Sequence, residues 1–522
     1  MDDPKGHILW VDDEIEMLRS HIRLLTERGY TVETASNGED AVTLVRQRAF
    51  DLIFLDEMMP GRGGLETLGE IKDLRPNLPV VMVTKNEAES LMEDAIGSKI
   101  SDYLIKPVNP SQVLAACKKF LETRTIRSAA VSKDYIQEFN QIAADLSGKP
   151  DHEGWIDIYT RMVNWGVELD EHPELGLHQT LQDQFRECNL AFGKFIEKNY
   201  RNWVEQTAGR PILSPEVVDN FVIPELQEGR SVFFFVIDCL RFDQWLMMES
   251  ALSDSFEVSR RFYYSILPTA TPYSRNAIFS GSYPSDLELR FPELWEKSED
   301  DENSRNRYER QFLDKLLERR RITLKPEAKY IKILDAEFGR GVESNISSYA
   351  QSKLTSIVVN FVDMLAHGRS DSSLLKEIAP DESAYRSLTR SWFLHSSLFG
   401  MLKTLSRMQN VTVLITTDHG SIRCLRGAKV LGDREASTNL RYKYGRNLKC
   451  EEKTAIFVKN PSDFRLPKRG VTANYIIAKE DYYFVYPTDY HKYLNYYRDS
   501  FQHGGVSMEE MILPVLKLTP KG

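Results

Sequence analysis

SVFFFVID, residues 231–238, is an apolar run that ends in an aspartate, Asp238. A run of this length, rich in Val and Phe, predicts a strand that is buried on both faces of a parallel sheet. Three further segments in the same half of the chain carry Asp or His in or just after an apolar run: SIVVNFVDMLAH (356–367, with Asp363 and His367), VTVLITTDH (411–419, with Asp418 and His419) and FQHGG (501–505, with His503).

The carboxylates of these segments are expected to meet. In open α/β sheets the carboxyl ends of parallel strands line one edge, where ligands bind. Three aspartates brought together in a partly desolvated site would repel one another strongly unless a cation compensated them. Mixed Asp and His donors suit zinc. The pattern therefore predicts a metal-dependent enzyme.

Composition limits the class of protein. A chain of 522 residues is too long for one ordinary core and predicts two or three domains. The net charge of −10 argues against a protein that coats duplex DNA. Five cysteines without a CxxC pair indicate a reducing, cytoplasmic compartment. The run VFFFVI is too short to span a membrane, and the acidic N-terminus lacks the pattern of a secretory signal.

The chain divides into three parts by its patterns, for which we expect the boundaries 1–122, 123–212 and 213–522. The first part alternates short apolar strands (HILWV, TVETA, DLIFL, PVVMV and DYLI) with amphipathic stretches, which predicts a five-stranded doubly wound α/β sheet. The middle part has leucines at helical spacing and predicts a small helical bundle. GRPILSPEVVDN (209–220) predicts a hinge into a large α/β domain. Within that domain, the hydrophilic stretch 296–310 predicts an exposed loop.

Polar residues at the strand ends of the first part form a pattern of their own. Asp12 and Asp13 follow the first strand, Asp56 the third, Thr84 the fourth, and Lys106 the fifth. An acidic triplet at one sheet edge can hold Mg²⁺ through oxygen ligands. The metal, Lys106 and the Thr84 hydroxyl could then stabilise a phosphoryl group transferred onto Asp56.

The motifs VDDE, FLDEMMPGRGG, VTK and DYLIKPVNP resemble the response-regulator receiver family over roughly the first 120 residues. The resemblance implies that a sensor histidine kinase phosphorylates Asp56. It also implies that Tyr103 is the switch aromatic and that the Met58 carbonyl completes the Mg²⁺ shell. Since this family often pairs through the face that includes Tyr103, we expect a homodimer on phosphorylation.

VIDCLRFD, LPTATPYSRNAIFSGSYP, NFVDMLAHGR, TTDHGS and FQHGGVSMEEMILP resemble the alkaline phosphatase superfamily, specifically its PglZ branch, over roughly residues 213–517. The resemblance implies two zinc ions per chain. Two groups of residues would hold them, with Thr271 bridging toward the substrate: Asp363, His367 and His503 for one ion, and Asp238, Asp418 and His419 for the other. Two metals can stabilise both the attacking and the leaving oxygen of a displacement at phosphorus.

Spacing gives independent support to part of this set. Asp363 and His367 are four residues apart, so on a helix after the strand they share one face. Thr271-Pro272 predicts a helix N-cap followed by proline at the first helical position, where backbone N–H groups favour a phosphate. A threonine hydroxyl activated by zinc could attack phosphorus and form a phosphothreonine intermediate that water hydrolyses. Thr269 is a rival, and by resemblance to nucleotide pyrophosphatases/phosphodiesterases the second threonine, Thr271, is preferred.

Two basic clusters, RRRITLKPEAKYIK (319–332) and RYKYGRNLK (441–449), leave alternatives open. Basic residues interleaved with tyrosines can hold a nucleotide or a single strand through phosphate contacts and stacking. A solvated charged face is at least as good an interpretation of the first cluster, and for the second the two interpretations are equal.

The order of the three parts is similar to the response-regulator family associated with type IX secretion. The resemblance implies a partner kinase of the PorY type and involvement of a sigma factor or a secretion component. The leading hypothesis is a zinc-dependent phosphodiesterase or phosphatase for nucleotides or oligonucleotides, controlled through Asp56. The alternative is a non-enzymatic signalling module whose zinc-stabilised domain docks a sigma factor or secretion partner; metal content together with hydrolysis would discriminate the two.

Overall fold

The computed structural model describes residues 5–75, 78–85, 100–295, 306–433, 437, 439–468 and 473–521. The chain forms two compact units, Met1–Gln137 and Glu138–Gly522. Within the described residues, no helix combines the length and the apolar character that crossing a membrane requires.

The first unit contains a five-stranded parallel sheet with the order β2-β1-β3-β4-β5. Its strands are β1 (His7–Val11), β2 (Thr31–Ala35), β3 (Leu52–Asp56), β4 (Val80–Thr84) and β5 (Asp102–Ile105). The accompanying helices span Arg19–Glu27, Gly38–Gln47, Gly64–Leu74 and Pro110–Cys117. The predicted doubly wound sheet is confirmed, and each strand lies within one residue of its expected position.

Both faces of this sheet are buried, as the continuous apolar runs predict. Along β1, Ile8 and Trp10 pack in one apolar cluster, whereas Leu9 and Val11 pack in a second. The same alternation recurs in β3 and β4. Because polar groups are excluded from both faces, the functional side chains of this unit lie at the carboxyl edge of the sheet.

The predicted helical middle of the chain consists of long helices. They span Thr123–Ser147, which contains the boundary between the two units, His152–Asp170 and His178–Glu205. The last two belong to the second unit and pack against its α/β part: Tyr200 Oη accepts a hydrogen bond from Leu267 N (2.7 Å), and Tyr264 Oη donates to His152 O (2.7 Å). The predicted hinge at 209–220 is part of the core, since Leu213 and Val217 are fully buried.

The second unit is built on a six-stranded sheet with the order β7-β18-β10-β6-β9-β8. The strands are β6 (Ser231–Ile237), β7 (Phe256–Tyr264), β8 (Lys329–Ile333), β9 (Leu354–Val359), β10 (Val411–Thr416) and β18 (Ile512–Pro520). Neighbours among β10, β6, β9 and β8 are parallel, whereas β18 pairs antiparallel with β10 and β7. The large α/β domain is therefore confirmed as a fold, with its three central predicted strands side by side.

Smaller sheets complete the unit. Their strands are β11 (Ile422–Cys424), β12 (Arg426–Lys429), β13 (Tyr442–Gly445), β14 (Ala455–Val458), β15 (Asn474–Ala478), β16 (Tyr482–Val485) and β17 (Ser500–Gln502). β17, which leads into His503, pairs antiparallel with β11. The FQHGG segment therefore lies outside the parallel sheet that the other three segments share.

The remaining helices of the second unit are mostly short. They span Ile223–Gln227, Phe242–Glu249, Thr271–Ser280, Pro284–Arg290, Glu309–Arg319, Ala336–Tyr349, Phe361–Asp371, Ser373–Ile378, Glu382–Leu394, Ser397–Leu405, Tyr490–Tyr497 and Met508–Met511.

Candidate active site

The carboxyl edge of the first sheet gathers three acidic residues. Asp12 and Asp56 are buried and Asp13 is exposed, and their ligand atoms lie within 4.8 Å of one another. Lys106 Nζ lies 2.9 Å from both Asp12 Oδ2 and Asp56 Oδ2. Oxygen donors of this kind suit Mg²⁺.

The other predicted residues of this edge surround Asp56. Burial raises the pKa of Asp56, although the hydrogen bond from Lys106 opposes the shift. The Thr84 hydroxyl donates to the carboxylate of Glu57. Tyr103 is 40% exposed and Met58 69% exposed, so both side chains are accessible. The edge thus combines an acceptor carboxylate, a cation and a hydroxyl.

In the second unit, three adjacent parallel strands position the acidic residues. Asp238 directly follows β6, and Asp418 comes two residues after β10. Asp363 and His367 lie on the helix Phe361–Asp371, which begins two residues after β9. His503 directly follows β17. The structure brings all six predicted metal-ligand residues into two groups of three, each with ligand atoms within 4.8 Å of one another.

The first group is Asp363, His367 and His503. Asp363 Oδ1 lies 3.4 Å from His367 Nε2 and 3.6 Å from His503 Nε2. His367 is the exposed member, with 46% of its side chain accessible, whereas His503 is buried. This group therefore lies at the open side of the site.

The second group is Asp238, Asp418 and His419, and all three are buried. His419 Nε2 lies 3.6 Å from Asp238 Oδ1 and 3.7 Å from Asp418 Oδ2. His419 Nδ1 lies 3.1 Å from the carbonyl of Gly420. Donation from Nδ1 to that carbonyl leaves the Nε2 lone pair available to a cation, as is usual for metal-bound histidine.

The two groups adjoin each other. The rings of His419 and His503 stack with their centroids 4.1 Å apart and an interplanar angle of 17°. One histidine from each group thus belongs to a single stacked pair, and the six side chains form one composite site.

The electrostatics of the composite site favour a bound cation. Burial, reinforced by Asp238, raises the pKa of Asp418 well above its usual range, and burial likewise raises the pKa of Asp238 against the opposing effect of Arg275. Burial lowers the pKa of His419 well below its usual range. Asp363 Oδ1 and Asp418 Oδ2 are buried and have no well-oriented hydrogen-bond partner among the described residues. Three carboxylates and three imidazoles with orphaned oxygens fit a site for one or more divalent metals.

Thr271 lies beside the second group. Its Oγ1 is 2.9 Å from His419 Nε2 and 3.5 Å from Asp238 Oδ1. Thr271 is the first residue of the helix Thr271–Ser280 and Ala270 is its N-cap, so the predicted N-cap position is wrong by one residue. Ala270 has no side-chain acceptor for the first turn, Pro272 has no N–H, and Tyr273 N donates to Ala270 O (2.9 Å), so the Thr271 N–H is the first-turn donor that can face an anion.

Thr269 has a different environment. Its hydroxyl donates to Gly505 O (2.8 Å) and accepts from Gly504 N (3.1 Å). Gly504 has φ +113°, and a Cβ at Gly505 would lie 2.3–2.6 Å from the Arg441 guanidinium. Both positions therefore require glycine, and the turn after His503 is fixed by Thr269 and Arg441.

Arg275 and Glu309 belong to the site but were not predicted. Arg275 Nη1 donates to Asp238 Oδ2 (2.6 Å), and its Nε donates to Glu309 Oε1 (2.6 Å). Both side chains are fully buried. The position of Arg275, four residues after Thr271 on one helix, was a signal that could have found it. Glu309 gave no such signal, because it lies in the hydrophilic stretch 296–310 that predicts an exposed loop. Residues 296–305 fall outside the described part. For residues 306–310 the prediction of an exposed loop is wrong, since Asn306 and Glu309 are buried.

The two basic clusters differ from one another. Arg441 and Lys443 are buried: Arg441 pairs with Glu510, and Lys443 Nζ donates to the carbonyls of Ser437 (3.1 Å) and Asn439 (2.8 Å). These two residues are held by partners within the protein, so neither interpretation of RYKYGRNLK applies to them, whereas Arg446 and Lys449 are exposed. The first cluster matches a solvated charged face, since residues 319–321 and Lys325 are exposed.

Family models match almost the entire length of the chain. Residues 8–118 match the response regulator receiver domain, residues 125–204 the PorX response regulator linker domain, and residues 217–518 the BREX system PglZ alkaline phosphatase-like domain. The three domains in this order match the PorX architecture. The receiver fold, the linker and the PglZ-type domain expected from the sequence are thereby confirmed.

Curated relatives are similar over a shorter part. The alginate biosynthesis transcriptional regulatory protein AlgB of Pseudomonas putida is 40% identical over 124 residues, or 24% of this chain and 28% of that protein. The transcriptional regulatory protein ZraR of Klebsiella oxytoca is 33% identical over 135 residues, or 26% of this chain and 30% of that protein. The chain thus spans less than a third of the length of these relatives.

Solved structures with similarity include chemotaxis protein CheY4 of Vibrio cholerae, at 27% identity and a TM-score of 0.22, over 22% of this chain and 98% of that one. The receiver domain of NtrX from Brucella abortus has 32% identity and a TM-score of 0.21, over 22% of this chain and 98% of that one.

Proposed function

Because this chain belongs to the PglZ family of alkaline phosphatase-like proteins, we propose that its second unit is a zinc-dependent phosphodiesterase or phosphatase. Its substrates are nucleotides or oligonucleotides. The observation that carries the proposal is the position of the Thr271 hydroxyl, 2.9 Å from His419 Nε2, at the start of a helix and beside a cluster of six candidate metal ligands.

The candidate ligands divide between two zinc ions. Asp363, His367 and His503 would hold one, and Asp238, Asp418 and His419 the other, with Thr271 adjacent. Bound there, zinc would activate a hydroxyl and neutralise charge on the phosphoryl oxygens. In the receiver, Asp12, Asp13, Asp56 and the Met58 carbonyl would hold Mg²⁺.

The residues of this chain orient the reacting groups. Contacts with His419 and Asp238 orient Thr271 Oγ1, and the Thr271 N–H at the start of the helix donates to a phosphoryl oxygen. Oγ1 gives up its proton to solvent and forms a bond to phosphorus while the bond from phosphorus to the ester oxygen breaks, and the leaving oxygen takes up a proton from solvent. Water then hydrolyses the phosphothreonine and restores the hydroxyl. The contacts of Thr269 with Gly504 and Gly505 support the choice of Thr271 over its rival.

The receiver supplies control. The chain is a response regulator, and a receiver domain implies a histidine kinase partner. Asp56 is the phosphoacceptor, and Lys106 and Thr84 act with it as the switch. The match to the PorX linker supports a kinase of the PorY type and a role in type IX secretion through a sigma factor or a secretion component.

Replacing Thr271 tests the enzymatic proposal. Thr271→Val removes the attacking oxygen while nearly preserving side-chain volume, so hydrolysis of bis-p-nitrophenyl phosphate should fall by about 10³-fold or more. Zinc content, measured by elemental analysis of the same sample, should stay within about twofold, since the six Asp and His ligands remain.

Thr404→Val is the matched control, because Thr404 lies on a different helix and its hydroxyl donates to Gly400 O within that helix. It should leave turnover unchanged. Full turnover by Thr271→Val would remove Thr271 as the nucleophile. Absence of turnover in zinc-loaded wild-type protein would favour the non-enzymatic docking module instead.

A further inference from the structure

A cavity of about 410 Å³ lies in the second unit between the helices His152–Asp170 and His178–Glu205 and the α/β part of the fold. Its volume is within the range of about 300–1,000 Å³ that is typical of small-molecule sites. None of the candidate metal ligands lines it. The cavity is therefore a separate place in the molecule.

The cavity has a largely apolar wall. That wall is formed by Tyr159, Val163, Leu181, Phe185, Ile422 and Leu425. Apolar side chains from both the linker helices and the α/β part thus surround the same space. Such a lining favours a ligand with an apolar body, because burying that body removes apolar surface from water.

Most charges at the polar side of the cavity are already compensated. Arg386 forms a two-point pair with Asp170, at 2.7 and 2.8 Å, and lies 3.2 Å from Asp243. Arg241 donates to Asp243 (2.9 Å) and to Glu382 (2.5 Å). These arginines are committed to carboxylates, so they do not form a free site for an anion.

Glu509 differs from these paired carboxylates, and it is less exposed than Asp381 at the cavity rim. Its side chain accepts a hydrogen bond from Asn189 Nδ2 (2.9 Å), and it forms no ion pair with any Lys, Arg or His in the described parts of the chain. Burial raises the pKa of Glu509 to about 7, although Asn189 opposes the shift. The side chain keeps partial accessibility and lines the cavity. The nearby positive charge of Arg241 is already paired with Asp243 and Glu382, so Glu509 lacks the direct ion pair that these neighbours have.

We propose that this cavity binds a small organic cation, a primary amine with an apolar body, whose ammonium group pairs with Glu509. The ammonium supplies the missing counter-charge, and the apolar wall takes up the body. The ligand contacts the two linker helices His152–Asp170 and His178–Glu205. It also contacts segments that continue from candidate metal ligands: Arg241 is three residues after Asp238, and Ile422 is three residues after His419.

Calorimetric titration of the full-length protein with 4-phenylbutylamine, at about pH 8 where Glu509 is largely ionised, tests the proposal. The neutral analogue 4-phenylbutan-1-ol has the same apolar body without the charge. The amine should bind at least about 10-fold more tightly than the alcohol, because only the amine forms the ion pair.

Glu509→Gln should weaken amine binding by about 10-fold and bring the amine and the alcohol to similar affinity. Glu187→Gln, on the same linker helix as Asn189 but outside the cavity, should leave both affinities unchanged. Equal affinity of the two compounds for the wild-type protein, or failure of the amine to bind, would overturn the proposal. Unchanged amine binding by a folded Glu509→Gln protein would do the same.

Discussion

Arg275 connects the helix Thr271–Ser280 to two buried carboxylates. Asp238 belongs to the candidate metal site, and Glu309 is completely inaccessible. Asn306 Nδ2 also donates to Glu309 (2.8 Å) and to Thr271 O (3.2 Å). Burial raises the pKa of a carboxyl group, yet the pKa of Glu309 is lowered because Arg275 and Lys332 are close. The network therefore holds an ionised glutamate behind Thr271.

Replacing Arg275 should show how much this network contributes to the free energy of unfolding. Arg275→Ala leaves Glu309 with only Lys332, at 3.8 Å, as a counter-charge, so unfolding free energy should fall by about 3 kcal/mol. The double variant Arg275→Ala/Glu309→Gln should recover part of that loss but not all of it, since the charge of Glu309 is removed while Asp238 still lacks its arginine partner. Urea denaturation followed by circular dichroism measures both.

Arg320→Ala is the control, because the pair of Arg320 with Asp219 is exposed. Its cost should stay below about 1 kcal/mol. A double variant no more stable than Arg275→Ala would show that the charge pair is not what the network stabilises.

At the residue scale, the sequence predicts the location of charged side chains that directly follow strands. It does not predict which charged side chains elsewhere are buried. Asp238 and Asp418 follow apolar runs, and the strand-end rule places them at the sheet edge. Arg441 and Lys443 lie among tyrosines in a segment that gives no hint of burial. Charged residues are seldom buried without a partner, and their partners are distant in sequence: Glu510 lies 69 positions after Arg441.

Among the elements, the helix His152–Asp170 is attached to the α/β part by few polar contacts. Arg386, on the helix Glu382–Leu394, makes the two-point pair with Asp170 at its C-terminal end. Near the other end, Tyr264 Oη donates to His152 O. The helix is thus anchored at both ends.

Arg386→Ala should loosen the C-terminal anchor. Asp170 and Asp243 would be left in a buried region with less counter-charge, so the expected loss of unfolding free energy is about 3 kcal/mol. Amide hydrogen exchange should accelerate in the last turns of His152–Asp170 more than in β6. Arg390→Ala, an exposed position on the same helix as Arg386, should change neither quantity. Uniform acceleration across the unit would argue against a local anchor.

Helices and strands were predictable where the sequence has a clear hydrophobic pattern. Five short runs bounded by turn residues give the five strands of the first sheet, and SIVV gives β9 followed by the helix that carries Asp363. The pairing of β17 with β11 was not predictable. The sequence carries no local signal for which strand a three-residue segment will pair with, because that depends on the rest of the fold.

At the scale of the whole molecule, the chain joins a receiver unit to an alkaline phosphatase-like unit. The boundary at Gln137 lies within the helix Thr123–Ser147. The linker helices after it belong to the second unit. Sequence patterns indicated the change from α/β to helical structure, but not that these helices and the segment 209–220 share a core with the six-stranded sheet.

Modification of Asp56 should change the association of the chain. Beryllofluoride mimics a phosphoryl group on an aspartate, and Lys106 Nζ, 2.9 Å from Asp56 Oδ2, is placed to contact it. Sedimentation velocity should shift from monomer toward dimer when Mg²⁺ and beryllofluoride are added. Asp56→Asn, which lacks the acceptor oxygen, should not respond. Unchanged sedimentation of wild-type protein with the mimic bound would contradict phosphorylation-driven pairing.

The paired glycines after His503 restrict how this fold can be re-engineered. Gly504 has a φ of +113°, and the guanidinium of Arg441 occupies the space that a methyl group at Gly505 would need. In a saturation library at these two codons, we expect almost every surviving clone to encode glycine. Attempts to broaden the substrate range should therefore diversify other loops and leave this turn untouched.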